Sequence, residues 1–238
     1  MENQLEKYQG LTLVTPMTNV PGIATYGIPV QELNRFVGKW GFNGGLERVC
    51  VKVSDELHSY LSVTGKNTSI KEWKNIPWST AGNVVTLFDH HELPASDYWI
   101  GHEPLYKPTE RDKELRKIWK SRFKNTIETP TDNQGNTLTL NEFVEIAVDL
   151  EIPEGHPIYA PEIIMWENIP KSAVKGFVLS PDSFRLQRRK NESVDEYSLN
   201  LSPKQSLNIL RNRLDRTRSN GANITVSLYD QTGNVLWE

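Results

Sequence analysis

Six short runs of β-branched and apolar residues, each closed off by turn-forming residues, recur along the chain at 11–14, 48–53, 83–88, 163–166, 176–179 and 224–229. Runs of four to six residues suit strands and are too short for helices. Helical signals fall between them. Residues 19–27 begin with Asn19 as N-cap, carry Pro21 in the first turn and stop at Gly27, which the pattern places in the left-handed region. Residues 142–150 place Phe143, Ile146, Ala147 and Leu150 at helical spacing after Asn141 as cap. The stretch 129–136 (TPTDNQGN) reads as loop, and 230–233 as the turn of a terminal hairpin. No repeat and no low-complexity linker interrupts the pattern. With 238 residues, 37% of them apolar, the chain has enough material for a real core. The expectation is one α+β domain over 1–238, with a helical and hairpin C-terminal extension from about residue 180.

Charge is unevenly spread. Residues 107–124 hold eight basic and three acidic side chains, and residues 185–218 hold nine and four. Two windows of +5 within a chain of net charge −3 leave −13 on the remainder. Both windows carry helical apolar spacing: Leu115, Ile118, Trp119 and Phe123 in the first, Leu207, Leu210 and Leu214 in the second. The basic residues are then expected to face outward. Solvated helix faces account for them in the plain reading. In the sharper one, Lys117, Lys120, Arg211 and Arg213 contact the phosphates of a nucleic acid beside an acidic body.

Several chemistries drop out. The chain has no phosphate-binding Walker loop, no dinucleotide GxGxxG, no HExxH and no GxSxG. His90 and His91 are adjacent and so are expected not to share a face, while His58, His102 and His156 are isolated, so no metal site is expected. Cys50 lies in an apolar VCV run and is read as a small buried hydrophobe. One cysteine and no signal-like or membrane-spanning run point to a cytoplasmic protein with no membrane partner.

Two distant segments belong together. The first, residues 11–28 (LTLVTPMTNVPGIATYGI), is a strand, an Asn-led short helix and a glycine exit. The second, residues 158–178 (IYAPEIIMWENIPKSAVKGFV), opens an apolar strand with Glu162 and places Pro170 eight residues later, then Val174. On these residues the chain resembles the DarT-type ADP-ribosyltransferases, toxins that use NAD to modify nucleic acid. Thr15, Asn19, Ile23 and Gly27 fit the first motif; Glu162, Ile163, Ile164, Pro170 and Val174 fit the second. Residues 49–60 (VCVKVSDELHSY) resemble the strand and turn that follow the first motif in related transferases.

The resemblance implies a split β-sandwich core with surrounding helices, and NAD as the substrate that donates ADP-ribose. It also implies a DNA or RNA acceptor, and an antitoxin as a further partner. It makes Glu162 the catalytic carboxylate and points to an arginine after the second strand. Residues 54–66 contain no arginine, so Arg48 is the nearest candidate. Leu13, Thr15, Asn19, Gly27 and Tyr60 take the NAD-contacting positions, with Leu13 and Pro16 standing where the family carries histidines. Chemically, a fixed carboxylate stabilises the oxocarbenium-like centre that forms as the nicotinamide–ribose bond breaks, and it can accept the proton of an incoming base nitrogen. An arginine fork suits the pyrophosphate. Capping alone also explains Asn19 and Gly27, and β-propensity explains Thr15. Two other functions compete with transfer to nucleic acid: a non-enzymatic binding module that uses the basic helices, and a transferase of the same fold that modifies protein side chains.

Overall fold

The apolar runs at 11–14, 83–88 and 176–179 become the buried middle of one sheet. The computed structural model describes residues 10–32, 50–53, 56–64, 83–94, 98–102, 110–125, 128–150, 162–182, 184–188 and 197–238. In chain order the elements are β1 (Gly10–Thr15), α1 (Val20–Tyr26), β2 (Cys50–Val53), β3 (Glu56–Thr64), β4 (Val84–Phe88) and β5 (Tyr98–His102). There follow α2 (Glu110–Arg122), β6 (Phe123–Asn125), β7 (Thr131–Asp132), α3 (Leu140–Val148), β8 (Glu162–Met165) and β9 (Val174–Leu179). The chain closes with β10 (Phe184–Arg188), β11 (Tyr197–Leu201), α4 (Pro203–Ser219), β12 (Ser227–Tyr229) and β13 (Val235–Trp237). One-turn 3₁₀ helices cover His90–Glu92 and Lys171–Ala173. The architecture is mixed α and β, of the α+β kind.

Nine strands form the main sheet in the order β13-β12-β9-β4-β1-β3-β8-β5, with β2 on β3 beside β1. The β9–β12 pair is parallel and the other described pairs are antiparallel. Every residue of β4 is buried, as are Ile163, Ile164 and Met165 of β8, so these strands are covered on both faces. That explains runs that are continuously apolar where a half-exposed strand would alternate. The C-terminal hairpin adds strands to this same sheet. At Gly176 it comes close enough for the Tyr229 ring to lie over the strand, where an added Cβ would stand 2.9 Å from Cε2.

The helices form where local signals agree. Pro203 follows Ser202, whose hydroxyl accepts the Gln205 N–H while Gln205 Oε1 accepts the Ser202 N–H, closing a capping box ahead of α4. Thr139 and Glu142 make the same box ahead of α3. The expected cap at Asn141 is therefore displaced by two residues: the Thr139–Glu142 pair satisfies two orphan N–H groups reciprocally, which a lone asparagine cannot do. The stretch 129–136 is also more ordered than a loop, since it contains β7 paired with β6. There Asp132 Oδ1 accepts the N–H groups of Gln134 and Asn136, and Asp230 Oδ1 does the same for Thr232 and Asn234 in the terminal hairpin. The same D-x-x-G-N turn thus occurs twice, at 132–136 and 230–234.

The first α-helix returns alongside the sheet and meets the β8–β9 connection. The eight residues from Trp166 to Ala173 join strands that run in the same direction but have β3, β1 and β4 between them. Four strand spacings are about 19 Å, and eight residues reach at most about 28 Å, so the connection crosses the three strands with one 3₁₀ turn within it. It is pinned midway: Ile28 N–H donates to Ile169 O at 2.8 Å and Ile169 N–H to Ile28 O at 2.9 Å. Gly27 sits beside this pair with φ 75° and ψ −151°, a region essentially restricted to glycine and distinct from the expected left-handed helical stop. A Cβ there would stand 2.0 Å from Ile169 O and 2.7 Å from Lys171 N.

Membrane-spanning character is absent from the described helices: none is long and apolar enough to cross a bilayer. The close approach at Gly27 gives a direct test. Gly27→Ala should cost about 3 kcal/mol or more, from backbone strain plus a forced shift of the connection. Urea unfolding measures this, and a loss below about 1 kcal/mol would show that the connection yields freely.

Candidate active site

Strand register fixes where the sequence candidates lie. Glu162, the first residue of β8, is level with Ser62 of β3 on one side and with His102 of β5 on the other. Ser62 is in turn level with Thr12 of β1. Tyr60 lies two positions along β3, opposite Ile164. Thr15 stands three residues beyond Thr12 on β1, so two strand spacings and three rungs separate it from Glu162, about 14 Å between Cα atoms. The fold therefore carries Glu162 and Thr15 on the same sheet but at different levels of it. Arg48 lies outside the described residues.

The exit of β1 is a buried polar end. Thr15 is fully buried, and its hydroxyl donates to Leu13 O at 3.1 Å or shares a proton with Thr86 Oγ1 at 2.7 Å. With those partners it stitches β1 to β4 and has little left for a ligand. Leu13 is buried opposite Thr86. Asn19 holds the N-cap position, as expected, but its side chain caps nothing: the residue is 0% exposed, and neither Oδ1 nor Nδ2 has a hydrogen-bond partner. The reason lies in its backbone, at φ −97° and ψ −12°, which is helical; a capping side chain needs the extended conformation found at Thr139 and Ser202.

Asn83 is the residue that sequence reasoning missed. The sequence pattern places it at the start of a strand, and the fold leaves it 2% exposed. Its Nδ2 lies 3.5 Å from Met17 Sδ and its Oδ1 has no partner. Ser180, also buried, donates its N–H to Asn83 O and accepts the Asp182 N–H through Oγ. The ends of β1, β4 and β9 thus collect buried side chains that can donate and accept but are only partly satisfied. An N–V start before a strand carries no signal of such burial; only the tertiary fold supplies it.

At the other end of β4 the histidines behave differently from expectation. The 3₁₀ turn lets His90 and His91 approach, ring centroids 4.0 Å apart and tilted by 36°, because the turn obeys neither strand alternation nor the α-helical step. Asp89 caps the turn through the His91 N–H and pairs with Lys175 at 2.7 Å. Burial alone would raise the Asp89 carboxyl, but hydrogen bonds from Lys175 and the His91 amide, together with the positive charge of Lys175, hold it below the usual carboxylate range. Burial lowers His90 first and His91 lowers it further, against the opposing pull of Asp89 and Glu145, so His90 favours its neutral form.

The basic helices divide. On α2, Lys117 and Lys120 are exposed beside Lys113, while Trp119 turns inward and stacks on Phe123 at 5.2 Å. Phe123, expected on the helix, opens β6 instead. On α4, Arg213 is half-buried, and Arg211 is not an outward phosphate ligand: its Nε donates to Leu236 O at 2.8 Å and its Nη2 shares that oxygen. Arg218 lies 4.1 Å over the Trp237 ring, whose Nε1 donates to Asp215. Part of the second basic window therefore holds the C-terminal hairpin down, which the charge pattern could not reveal.

The orphaned amide of Asn19 has a measurable consequence. A buried polar group left unpaired costs about 1–3 kcal/mol, so Asn19→Leu, close in shape and free of that penalty, should leave stability unchanged or raise it in urea unfolding. A loss above about 2 kcal/mol would show that the amide is satisfied within the folded chain. Compared with known proteins, the chain matches no family model, no curated protein and no solved structure.

Proposed function

We propose that the chain is an NAD-dependent ADP-ribosyltransferase that transfers ADP-ribose to a base of DNA or RNA, on a core of the split β-sandwich kind. One juxtaposition carries the reading. The glycine exit of the first motif, Gly27–Ile28, lies against Ile169–Lys171 of the second, so segments that resemble the family separately also meet in the fold. The neighbouring β3 lies between the strands of the two motifs, pairing with β1 on one side and β8 on the other.

In this mechanism the bond between the nicotinamide nitrogen and ribose C1′ breaks, and nicotinamide leaves as a neutral molecule. A nitrogen of the acceptor base then bonds to C1′ and loses its proton. Glu162 stabilises the positive charge that develops on the ribose and receives that proton or passes it to water. Arg48 is assigned to the pyrophosphate through paired N–H donors. Exposed Lys113, Lys117 and Lys120 on α2 offer charge to the acceptor's phosphates. The same lysines favour a second reading, a nucleic-acid-binding module without catalysis.

The test mixes purified protein, NAD and oligonucleotides and follows nicotinamide release together with the mass of the oligonucleotide. Wild-type protein should add one ADP-ribose per modified base, and Glu162→Gln should slow transfer about 100-fold or more. Undiminished transfer by Glu162→Gln would remove Glu162 from the mechanism. Salt-sensitive oligonucleotide binding with no nicotinamide release would replace the transferase with the binding module, and mass added only to protein would move the acceptor from nucleic acid to a side chain.

A further inference from the structure

We propose that Asp89, His90 and His91 form a binding site for a borderline divalent transition cation such as Zn2+, independent of the transferase reading. The three residues each offer a ligand atom, and these atoms lie within 4.8 Å of one another. Four-coordinate Zn2+ with bonds of about 2.0–2.1 Å holds its ligands about 3.4 Å apart, so the ligand atoms would have to draw in by at most about 1.4 Å. Two imidazoles and one carboxylate match the borderline softness of Zn2+ or Co2+ and disfavour Mg2+ or Ca2+, which prefer all-oxygen shells.

A second observation points the same way. No ring nitrogen of either histidine has a hydrogen-bond partner among the described residues, and His90 Nε2 is buried without one. Two adjacent imidazoles packed at 4.0 Å with nothing bonded to their nitrogens leave a lone pair on each ring available for a metal.

The scaffold is firm. Asp89 N–H donates to Ala173 O at 2.8 Å, its carboxylate caps the turn, and α3 packs against the turn with Glu145 close enough for its charge to act on His90. His91 is exposed and the other two are half-buried, so water can complete the shell. Among the described residues the competitor is Lys175, whose ammonium pairs with the Asp89 carboxylate but whose side chain is 54% exposed. Sequence spacing hid the site because three consecutive residues converge only in a 3₁₀ turn.

The experiment uses the untagged full chain, stripped with chelator and dialysed, then titrated with ZnCl2 by calorimetry and with CoCl2 by visible absorption. One equivalent should bind, with a Co2+ spectrum of nitrogen and oxygen ligands. His91→Gln, at an exposed position that leaves the fold intact, should weaken binding about tenfold or more. Lys175→Ala should tighten it by removing the competing ammonium. Absence of binding by wild-type protein, or equal binding by wild type and the His90→Gln/His91→Gln double variant, would overturn the proposal.

Discussion

The reciprocal backbone pair between Ile28 and Ile169 is what the rest of the molecule hangs on. Both residues are buried, at 0% and 1% exposure, and each satisfies the other's N–H and C=O where water cannot. Each such bond contributes about 1 kcal/mol net, but an unpaired buried partner costs about 1–3 kcal/mol, so the pair is worth more as an obligation than as a gain. Gly27 lets the chains come this close. From the pair, support spreads outward: α1 packs on β9 and α4, and α4 holds the terminal hairpin through Arg211, Asp215 and Arg218. The hairpin then returns to β9 as a parallel neighbour.

Much of the fold was legible because local and tertiary demands agree. The run at 163–166 is apolar on successive residues, and β8 is covered on both faces. Leu207, Leu210 and Leu214 recur at helical spacing, and they lie on α4 with Leu210 and Leu214 buried. Failures came where a tertiary partner decided the matter. Asn19 looks like a cap in sequence and occupies the cap position, but the chain enters α1 in helical conformation and leaves the amide unused. Arg211 and Arg218 look like surface charge, but a strand carbonyl and an indole ring lie within their reach. The Thr139-x-x-Glu142 box is present in the sequence and prevails over the nearer Asn141 because it satisfies two N–H groups at once.

Of the candidate residues, Glu162 and Gly27 stand out in the sequence through the motifs that carry the resemblance, and the register relates Glu162 to Thr12 through β3. The partly satisfied buried asparagines and the approach of His90 to His91 depend on contacts between residues distant in sequence or on an irregular turn, and no periodicity announces either. The two features lie at opposite ends of β4: Asn83 precedes the strand, and Asp89 follows it. Its Asp89 end is tied through Ala173 to the connection that Gly27 and Ile28 pin, so the candidate cation site, the second motif and the return of α1 share one piece of backbone.

Native-state hydrogen exchange at the amides of Ile28 and Ile169 tests this dependence most directly. If the pair is the junction through which both motif segments fold as one unit, the two amides should exchange with the same opening free energy as each other and as the protected amides of β1 and β4. Exchange of Ile28 and Ile169 orders of magnitude faster than those strands would show that the segments come together loosely, and the junction would lose its central place.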